Sequence, residues 1–177
     1  MQKRNTCDIQ AWSKELRVGD EILLSGTVYT ARDAVHKRFA QLISDGKTLP
    51  IELRGAVIYY AGPTPSKNGL AVGSCGPTTS SRMDKHTPMF LDLGLSGIIG
   101  KGERNEAVRE AIVRNGAVYL CAIGGAGALY ADCIKTSEVV AFPELGCESL
   151  KRMTVEDMPL IVGADAYGGN IFDRKTT

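Results

Sequence analysis

Segments typical of strands alternate with segments typical of helices along this chain, and this alternation restricts the folds it can adopt. Residues 21–29 are rich in β-branched and aliphatic side chains, which predicts a strand. Apolar residues between positions 35 and 43 then recur at i, i+4, i+7 and i+8, which predicts a helix that begins at about Ala31 and holds Arg32 in its first turn. Similar units follow, and a last strand is predicted over residues 159–165. The alternation predicts an α/β fold with a mixed sheet.

Turn signals add a hairpin in the middle of the chain. A strand at 56–60 is followed by Asn68-Gly69, a good two-residue hairpin turn, and then by a second strand at 70–74. The loop at 76–84 is expected to lead into the N-terminus of a helix, with a Thr or Ser as its cap.

Length and composition predict one globular domain. A chain of 177 residues is typical of a single unit, here 1–177 with an N-terminal arm at 1–16 and a polar tail at 172–177. Hydrophobic residues make up 44% and no apolar run approaches the roughly 18 residues that span a bilayer, so no membrane contact is expected. No apolar core of a secretory signal follows Met1, which predicts a cytoplasmic location.

Charge and cysteine usage argue against three further classes of protein. Lys and Arg number 21 against 20 Asp and Glu, a net charge of +1, and no basic stripe indicates a nucleic-acid partner. The five cysteines are an odd number and no two lie closer than twelve residues, so neither a disulfide framework nor a Cys-x-x-Cys metal site is predicted. We expect no metal on this chain.

Three loops share one design that points to an anion site. Glycine is concentrated between Gly62 and Gly102, where eight of the chain's 20 glycines fall, and such a density indicates tight turns or a backbone close to a ligand. In three segments, two of them within this region, a predicted strand ends, small residues follow, and an Arg or Lys comes next. These segments are residues 30–33, 76–82 and 100–102. Ligands of open α/β sheets bind at the carboxyl ends of strands, where helix N-termini favour anions. The alternative is that these cations are solvated surface charges beside ordinary caps.

Other site chemistries fit the chain poorly. The glycines at 124–128 do not complete a dinucleotide fingerprint, because Tyr130 stands where a third glycine is required, so a tight turn after a strand is expected there. His36 and His86 have no second ligand at i+3 or i+4, which disfavours zinc catalysis. No Gly-x-Ser-x-Gly elbow is present for a serine hydrolase. Thr30 and Asp33 have the spacing of a capping box.

Residues 25–38, 76–84 and 100–102 together resemble the β subunit of class I (iron–sulfur) fumarate hydratase and its relative, L-tartrate dehydratase. The resemblance extends from about Leu16 to Ile171 and keeps the motifs in order. It implies a swivelling β/β/α domain. It also implies a partner α subunit, which holds a [4Fe-4S] cluster and completes the active site, with no cofactor bound by this chain.

The resemblance further implies roles for particular residues. Arg32, Arg82 and Lys101 match the positions that hold the dicarboxylate, and Thr78 matches the proposed catalytic base at C3. A threonine hydroxyl is a weak base at neutral pH, so Thr78 requires a cationic neighbour, such as Arg82, or a relay partner. The alternative role for Thr78 is that of a helix N-cap. Supporting roles are expected for Asp33 and His36, which would orient Arg32, and for Thr79. The alternative for His36 is a surface or capping role.

Three functions follow as hypotheses. The first is the β subunit of a hydro-lyase that reversibly hydrates fumarate to (S)-malate, and the second is the β subunit of L-tartrate dehydratase. The third is a non-catalytic anion-binding or regulatory module. An exposed apolar patch is predicted where the α subunit docks, through which isolated chains are expected to homodimerise.

Overall fold

Two long antiparallel strands organise the sheet. The computed structural model describes residues 1–66 and 69–173. Its strands are β1 (Gln2–Asn5), β2 (Glu21–Thr30), β3 (Val57–Tyr59), β4 (Gly97–Gly100), β5 (Val118–Cys121), β6 (Ile134–Ala141) and β7 (Leu150–Ala164). β2 pairs with β7 along nearly its whole length. On its edge away from β7, β2 pairs in parallel with two short strands, β1 and β3. On its edge away from β2, β7 pairs with β6 and β5. Because β4 lies between β3 and β5, the strands β2-β3-β4-β5-β7 close into a small barrel.

Five α-helices and three short 3₁₀ helices connect the strands in the described residues. The helices are α1 (Ile9–Trp12), α2 (Asp33–Ser44), α3 (Thr87–Asp92), α4 (Glu106–Asn115) and α5 (Gly127–Cys133), and the 3₁₀ segments are Thr6–Asp8, Ser80–Met83 and Pro143–Glu148. The α/β class and the mixed sheet are therefore confirmed. Among the described residues, every helix is too short or too polar to cross a membrane.

Both faces of the central strands are buried. Side chains alternate along a strand, so Val57 and Tyr59 join the core inside the barrel while Ile58 and Tyr60 join a second core outside it. The second core lies under α2, α3 and α4, where Phe39 packs edge-on against the Phe90 ring with centroids 5.9 Å apart. Burial on both faces explains why these strands are continuously apolar in sequence.

Residues 1–16, the predicted N-terminal arm, pack against the barrel. β1 pairs in parallel with the first half of β2, and Ile9, Trp12 and Leu16 are 1–2% exposed in the core of the barrel. The indole nitrogen of Trp12 donates to the carbonyl of Asn5 at 2.7 Å, which fastens α1 to β1. The polar tail predicted at 172–177 lies partly outside the described residues, which end at 173.

The hairpin prediction is wrong in its second strand. Asn68 lies outside the described residues, and residues 70–74 do not form a strand. The segment does fold back, because the Thr64 amide donates to the Ser74 carbonyl at 2.9 Å and Ala61 forms an isolated bridge with Pro77. The neighbouring edge of β3 is already occupied by β4, so this returning segment has no place in the sheet.

Several element ends also differ from prediction. β7 begins at Leu150 rather than near 159, because the preceding polar stretch pairs with β2 and β6. α2 begins at Asp33, which leaves Arg32 at the N-cap position, with no side-chain capping bond. Thr30 is still part of β2, and its hydroxyl oxygen accepts from the Lys151 amide at 3.2 Å, so the capping box does not form.

Candidate active site

The predicted cationic loops all lie at one edge of the barrel. β2, β3, β4 and β5 run parallel to one another, so their carboxyl ends meet at the same edge. Arg32 follows β2, Thr78 lies on the long loop after β3, and Lys101 follows β4. The turn at Gly124 and Gly125 follows β5, as predicted for a tight turn, with Gly125 at φ +83°.

Thr78, Thr79 and Lys101 come together on two adjoining loops. The Thr78 amide donates to the carbonyl of Tyr60 at 2.6 Å, which places Thr78 just past the end of β3. Thr79 forms a parallel bridge with Lys101, and the Ser80 amide donates to the Lys101 carbonyl at 2.9 Å. Thr79, not Thr78, stands at the cap position of the 3₁₀ helix Ser80–Met83, and it makes no side-chain capping bond. The alternative role of Thr78 as an N-cap is therefore excluded.

Glycines leave room for two of the cationic side chains. A Cβ at Gly62 would lie 2.7 Å from Nη1 of Arg32, so the guanidinium rests against the bare backbone there. A Cβ at Gly124 would lie 3.6 Å from Nζ of Lys101, so that ammonium runs alongside the turn after β5. The glycine density between the strands thus reflects, at Gly62, a close approach of a charged side chain.

Arg32 has an ion-pair partner that the sequence did not reveal. Its Nη2 lies 3.1 Å from Oε1 of Glu148, and about a fifth of the Arg32 side chain is exposed. Glu148 ends the 3₁₀ segment that precedes β7, more than a hundred residues away along the chain. No local pattern points to this contact.

Asp33 faces Arg82 and not Arg32, which corrects the orienting role predicted for it. Nε of Arg82 donates to Oδ1 of Asp33 at 3.1 Å, and Nη2 lies 2.7 Å from Oδ2, so the two side chains form an ion pair held by one hydrogen bond. The reason is that the Arg32 side chain turns towards Gly62 and Glu148 instead. About half of the Arg82 side chain remains exposed, so it retains donors for a ligand.

Arg82 and Asp33 line a cavity of about 490 Å³ on the side of α2. Its other lining residues, all from α2 or the segment before α3, are His36, Lys37, Ala40, Gln41, Lys85 and His86. Thr78 and Lys101 are not among the described residues that line it. The structure thus brings Thr78 together with Lys101, and Arg82 together with Asp33, whereas Arg32 contacts Gly62 and Glu148.

His36 supports the backbone of Arg32. Its Nδ1 lies 2.9 Å from the Arg32 carbonyl, and because a carbonyl only accepts, Nδ1 carries the proton. The ring is 1% exposed and packs against Tyr60 and Phe90, each with centroids 5.2 Å away. Burial lowers the pKa of His36 to about 3, so the imidazole is neutral at physiological pH.

Sequence reasoning missed a buried ion pair behind the site. Nε of Arg104 donates to Oδ1 of Asp84 at 2.7 Å, and the side chains are only 1% and 7% exposed. Arg104 lies three residues after Lys101, where a charged residue in a glycine-rich loop is expected to face solvent. Only its proximity to Lys101 and the adjacent motif position of Asp84 hinted at a role.

The cysteines of this chain do not fit an iron–sulfur cluster. Such a cluster requires several thiolates around one point, and in the described residues no three His, Cys, Asp or Glu side chains gather that could hold a metal ion. Cys7 and Cys147 are exposed, whereas Cys75 is buried. Burial raises the pKa of the Cys75 thiol to about 12, which disfavours the thiolate form.

Comparisons with known proteins confirm the resemblance. A family model described as Fumarase C-terminus matches residues 3–175. Fumarate hydratase 2 of Leishmania major is 37% identical over 174 residues, which cover 97% of this chain and 31% of that protein. The anaerobic class I fumarate hydratase of Escherichia coli (strain K12) is 38% identical over 169 residues, covering 94% of this chain and 31% of that protein.

A third relative is similar in length to this chain. The putative L(+)-tartrate dehydratase subunit beta of Methanocaldococcus jannaschii is 37% identical over 167 residues, which cover 91% of this chain and 86% of that protein. By contrast, the chain spans about a third of the length of the two fumarate hydratases, with 31% of each covered. Since the family model includes every loop described above, from Arg32 to Glu148, the chain belongs to the Fumarase C-terminus family.

Proposed function

We propose that this chain supplies the dicarboxylate-binding and proton-transfer residues of an iron–sulfur hydro-lyase that reversibly hydrates fumarate to (S)-malate. An α subunit that bears a [4Fe-4S] cluster would complete the site. The observation that carries the proposal is the family match over residues 3–175, together with relatives named as fumarate hydratases. The position of Thr78, Lys101 and Arg32 at one strand edge supports it, since that edge is where α/β sheets bind ligands.

The charge of the site suits a small dianion. Fumarate and malate carry two carboxylates, and Arg32, Arg82 and Lys101 offer three cations. Arg32 and Arg82 are already paired with Glu148 and Asp33. A guanidinium has five N–H donors, so each arginine can keep its internal partner and still donate to a substrate carboxylate. The internal pairs would hold the forks in place before the substrate arrives.

The proton transfer in this proposal is centred on Thr78. When the C3 proton of malate leaves, its electron pair moves onto the adjacent carboxylate as an aci-carboxylate. The proton passes to the Thr78 oxygen, which either is an alkoxide favoured by a neighbouring cation or gives its own hydroxyl proton to a relay group as it accepts the new one. Preplaced cations stabilise this added charge more than they stabilise the ground state. Because Asp33 compensates Arg82, Lys101 on the adjoining loop is the better placed cation for Thr78. The Lewis acid for the departing hydroxyl would be supplied by the partner, since the cysteines here do not fit a cluster.

A second substrate has a specific observation in its favour. The relative of comparable length is named as a tartrate dehydratase β subunit, so this chain could have the same subunit arrangement. Tartrate differs from malate by one hydroxyl, and a site built to bond a hydroxyl rejects an analogue that lacks it strongly. Assaying L-tartrate beside malate therefore separates the two substrates.

The test is coexpression of this chain with a candidate α subunit, followed by anaerobic purification and an assay of fumarate, malate and L-tartrate. We expect the pair to turn over one of these substrates and Arg82→Ala to reduce kcat/KM by at least about 10²-fold, since it removes a charge-assisted contact to the transition state. Arg38→Ala is the matched control, because Arg38 is an exposed arginine paired with Glu144.

The outcomes separate the hypotheses. Full activity of an intact Arg82→Ala pair would remove Arg82 from the site. A pair that assembles with its cluster and turns over none of the three dicarboxylates would favour the non-catalytic anion-binding module instead.

A further inference from the structure

The ion pair between Asp84 and Arg104 is the most buried of those in the described residues, with side-chain exposures of 7% and 1%. Taking two charges out of water is costly, and a buried pair often adds little to stability compared with apolar side chains. The burial of this ion pair is therefore better explained by a role other than stability.

The two partners join the two loops that carry the proposed site. Asp84 directly follows the 3₁₀ helix that contains Arg82, and Arg104 lies three residues after Lys101. Oδ1 of Asp84 accepts from Nε of Arg104, and Oδ2 accepts from the Asn105 amide, both at 2.7 Å. Both carboxylate oxygens thus hold the loop after β4.

The Arg104 guanidinium also contacts the residue that anchors Thr78. Its central carbon lies 5.3 Å from the ring centroid of Tyr60 and 5.0 Å from that of Tyr119. The Tyr60 carbonyl is the acceptor for the Thr78 amide. Nη2 of Arg104 donates to Oγ1 of Thr87 at 3.1 Å, and that hydroxyl donates to the Met83 carbonyl at the end of the 3₁₀ helix.

Tyr119, on β5, also contacts both of these loops. Its hydroxyl donates to the Gly102 carbonyl at 2.7 Å and lies 3.0 Å from Oγ of Ser80, which can donate to it in turn. Arg104 therefore lies behind the loop of Thr78 and Arg82 and the loop of Lys101, and it contacts the supports of both.

We propose that the Asp84–Arg104 pair is a positioning element that fixes Thr78 relative to Lys101 for the transfer of the C3 proton. This inference rests on the proposed function. Neither residue touches the substrate. The fork of Arg104 donates to Asp84 and Thr87 at once, through two different nitrogens, which the single nitrogen of a lysine ammonium cannot reproduce in the same geometry.

Arg104→Lys tests the proposal, because it keeps the positive charge beside Asp84 but loses the fork. In the reconstituted pair we expect kcat to fall about 10²-fold, the cost of a small misplacement of reacting groups, with KM changed far less. The isotope effect on kcat with C3-deuterated (S)-malate should rise, because the proton transfer becomes slower than the other steps. Arg114→Lys is the matched control, since Arg114 pairs with Asp92 on the surface.

The isotope effect separates positioning from simple loss of folded protein. A smaller folded fraction lowers kcat but leaves the isotope effect unchanged, so that result would overturn the proposal. Unchanged kcat would overturn it as well. If Arg104→Lys fails to fold, Asp84→Asn provides the same comparison, since it keeps the shape of the carboxylate and removes its charge.

Hydrogen exchange tests the junction independently of catalysis. In the wild-type chain the Ser80 and Asn105 amides donate across the two loops. In Arg104→Lys we expect both to exchange about tenfold faster, the change expected when one charge-assisted hydrogen bond is lost, while amides in α4 do not change. Unchanged exchange of these two amides would refute the positioning role of the Asp84–Arg104 pair, even in an active enzyme. If the wild-type chain reconstituted with its α subunit is inactive, the proposed function is refuted. The exchange result then decides whether the Asp84–Arg104 ion pair holds the two loops together.

Discussion

Lowering the pH should destabilise the chain through one buried histidine. His36 is 1% exposed, its Nδ1 donates to the Arg32 carbonyl, and burial lowers its pKa to about 3 from an ordinary 6.5. The Arg32 carbonyl partly opposes this shift, and the nearby Arg104 cation adds to it. Protonating His36 in the folded chain would bury a charge beside two aromatic rings.

The sign and size of the effect follow from linkage. Between about pH 3 and 6.5 the unfolded chain binds a proton at His36 and the folded chain does not, so the free energy of unfolding falls as the pH falls. The stabilisation is fully present above about pH 6.5 and is lost progressively below it. For these two pKa values the loss at pH 5 is about 2 kcal/mol, or about 4–8 °C in Tm for a chain of this size.

Urea denaturation at pH 7.5 and pH 5.0 measures this loss, and His36→Asn is the comparison. Asparagine keeps a donor near the Arg32 carbonyl but does not titrate, so the variant should be less stable at pH 7.5 and less sensitive to pH. His86 and the carboxylates titrate in both proteins, so their contributions cancel in the difference. We expect the wild type to lose about 2 kcal/mol more than the variant between the two pH values. Equal losses, or an NMR titration of His36 near its ordinary pKa, would refute the reasoning.

Two further changes test the core and the site loops. Trp12→Ala should reduce the free energy of unfolding by about 3–5 kcal/mol in urea, because the indole is 2% exposed in the barrel; a loss below about 1 kcal/mol would show that residues 1–16 are dispensable. Gly100→Ala should cost about 1–3 kcal/mol, because the added Cβ would overlap Oγ of Ser80 and lie 3.1 Å from Cδ2 of Tyr60. Adding Ser80→Ala to Gly100→Ala should recover much of that loss, and strictly additive effects in the double variant would contradict the clash.

Much of the fold was predictable because its signals are local. The strand at β2 and the tight turn after β5 were predicted from side chains within a few residues. The hairpin prediction was wrong for the same reason. A turn signal depends only on residues near Asn68, whereas the edge of β3 beside the returning segment is occupied by β4.

The candidate site divides in the same way. The motifs around Arg32, Thr78 and Lys101 identified the family and placed these residues after strands, which the fold then brought to one edge. Their electrostatic partners were not predictable: Glu148 for Arg32 lies far along the chain, and Asp33 pairs with Arg82 although Arg32 is its neighbour.

The amino-acid sequence alone determined the alternation of strands and helices, the family and the loops that carry the chemistry. Tertiary structure alone decided that β7 closes a barrel on β2, that the first 16 residues complete its core, and that Arg104 is buried behind Lys101. The physical reason is the distance along the chain over which each kind of interaction acts. Propensity and periodicity depend on near neighbours, whereas barrel closure and the burial of a charge depend on contacts between residues 20 to more than a hundred positions apart, such as Arg104 with Asp84 and Arg32 with Glu148.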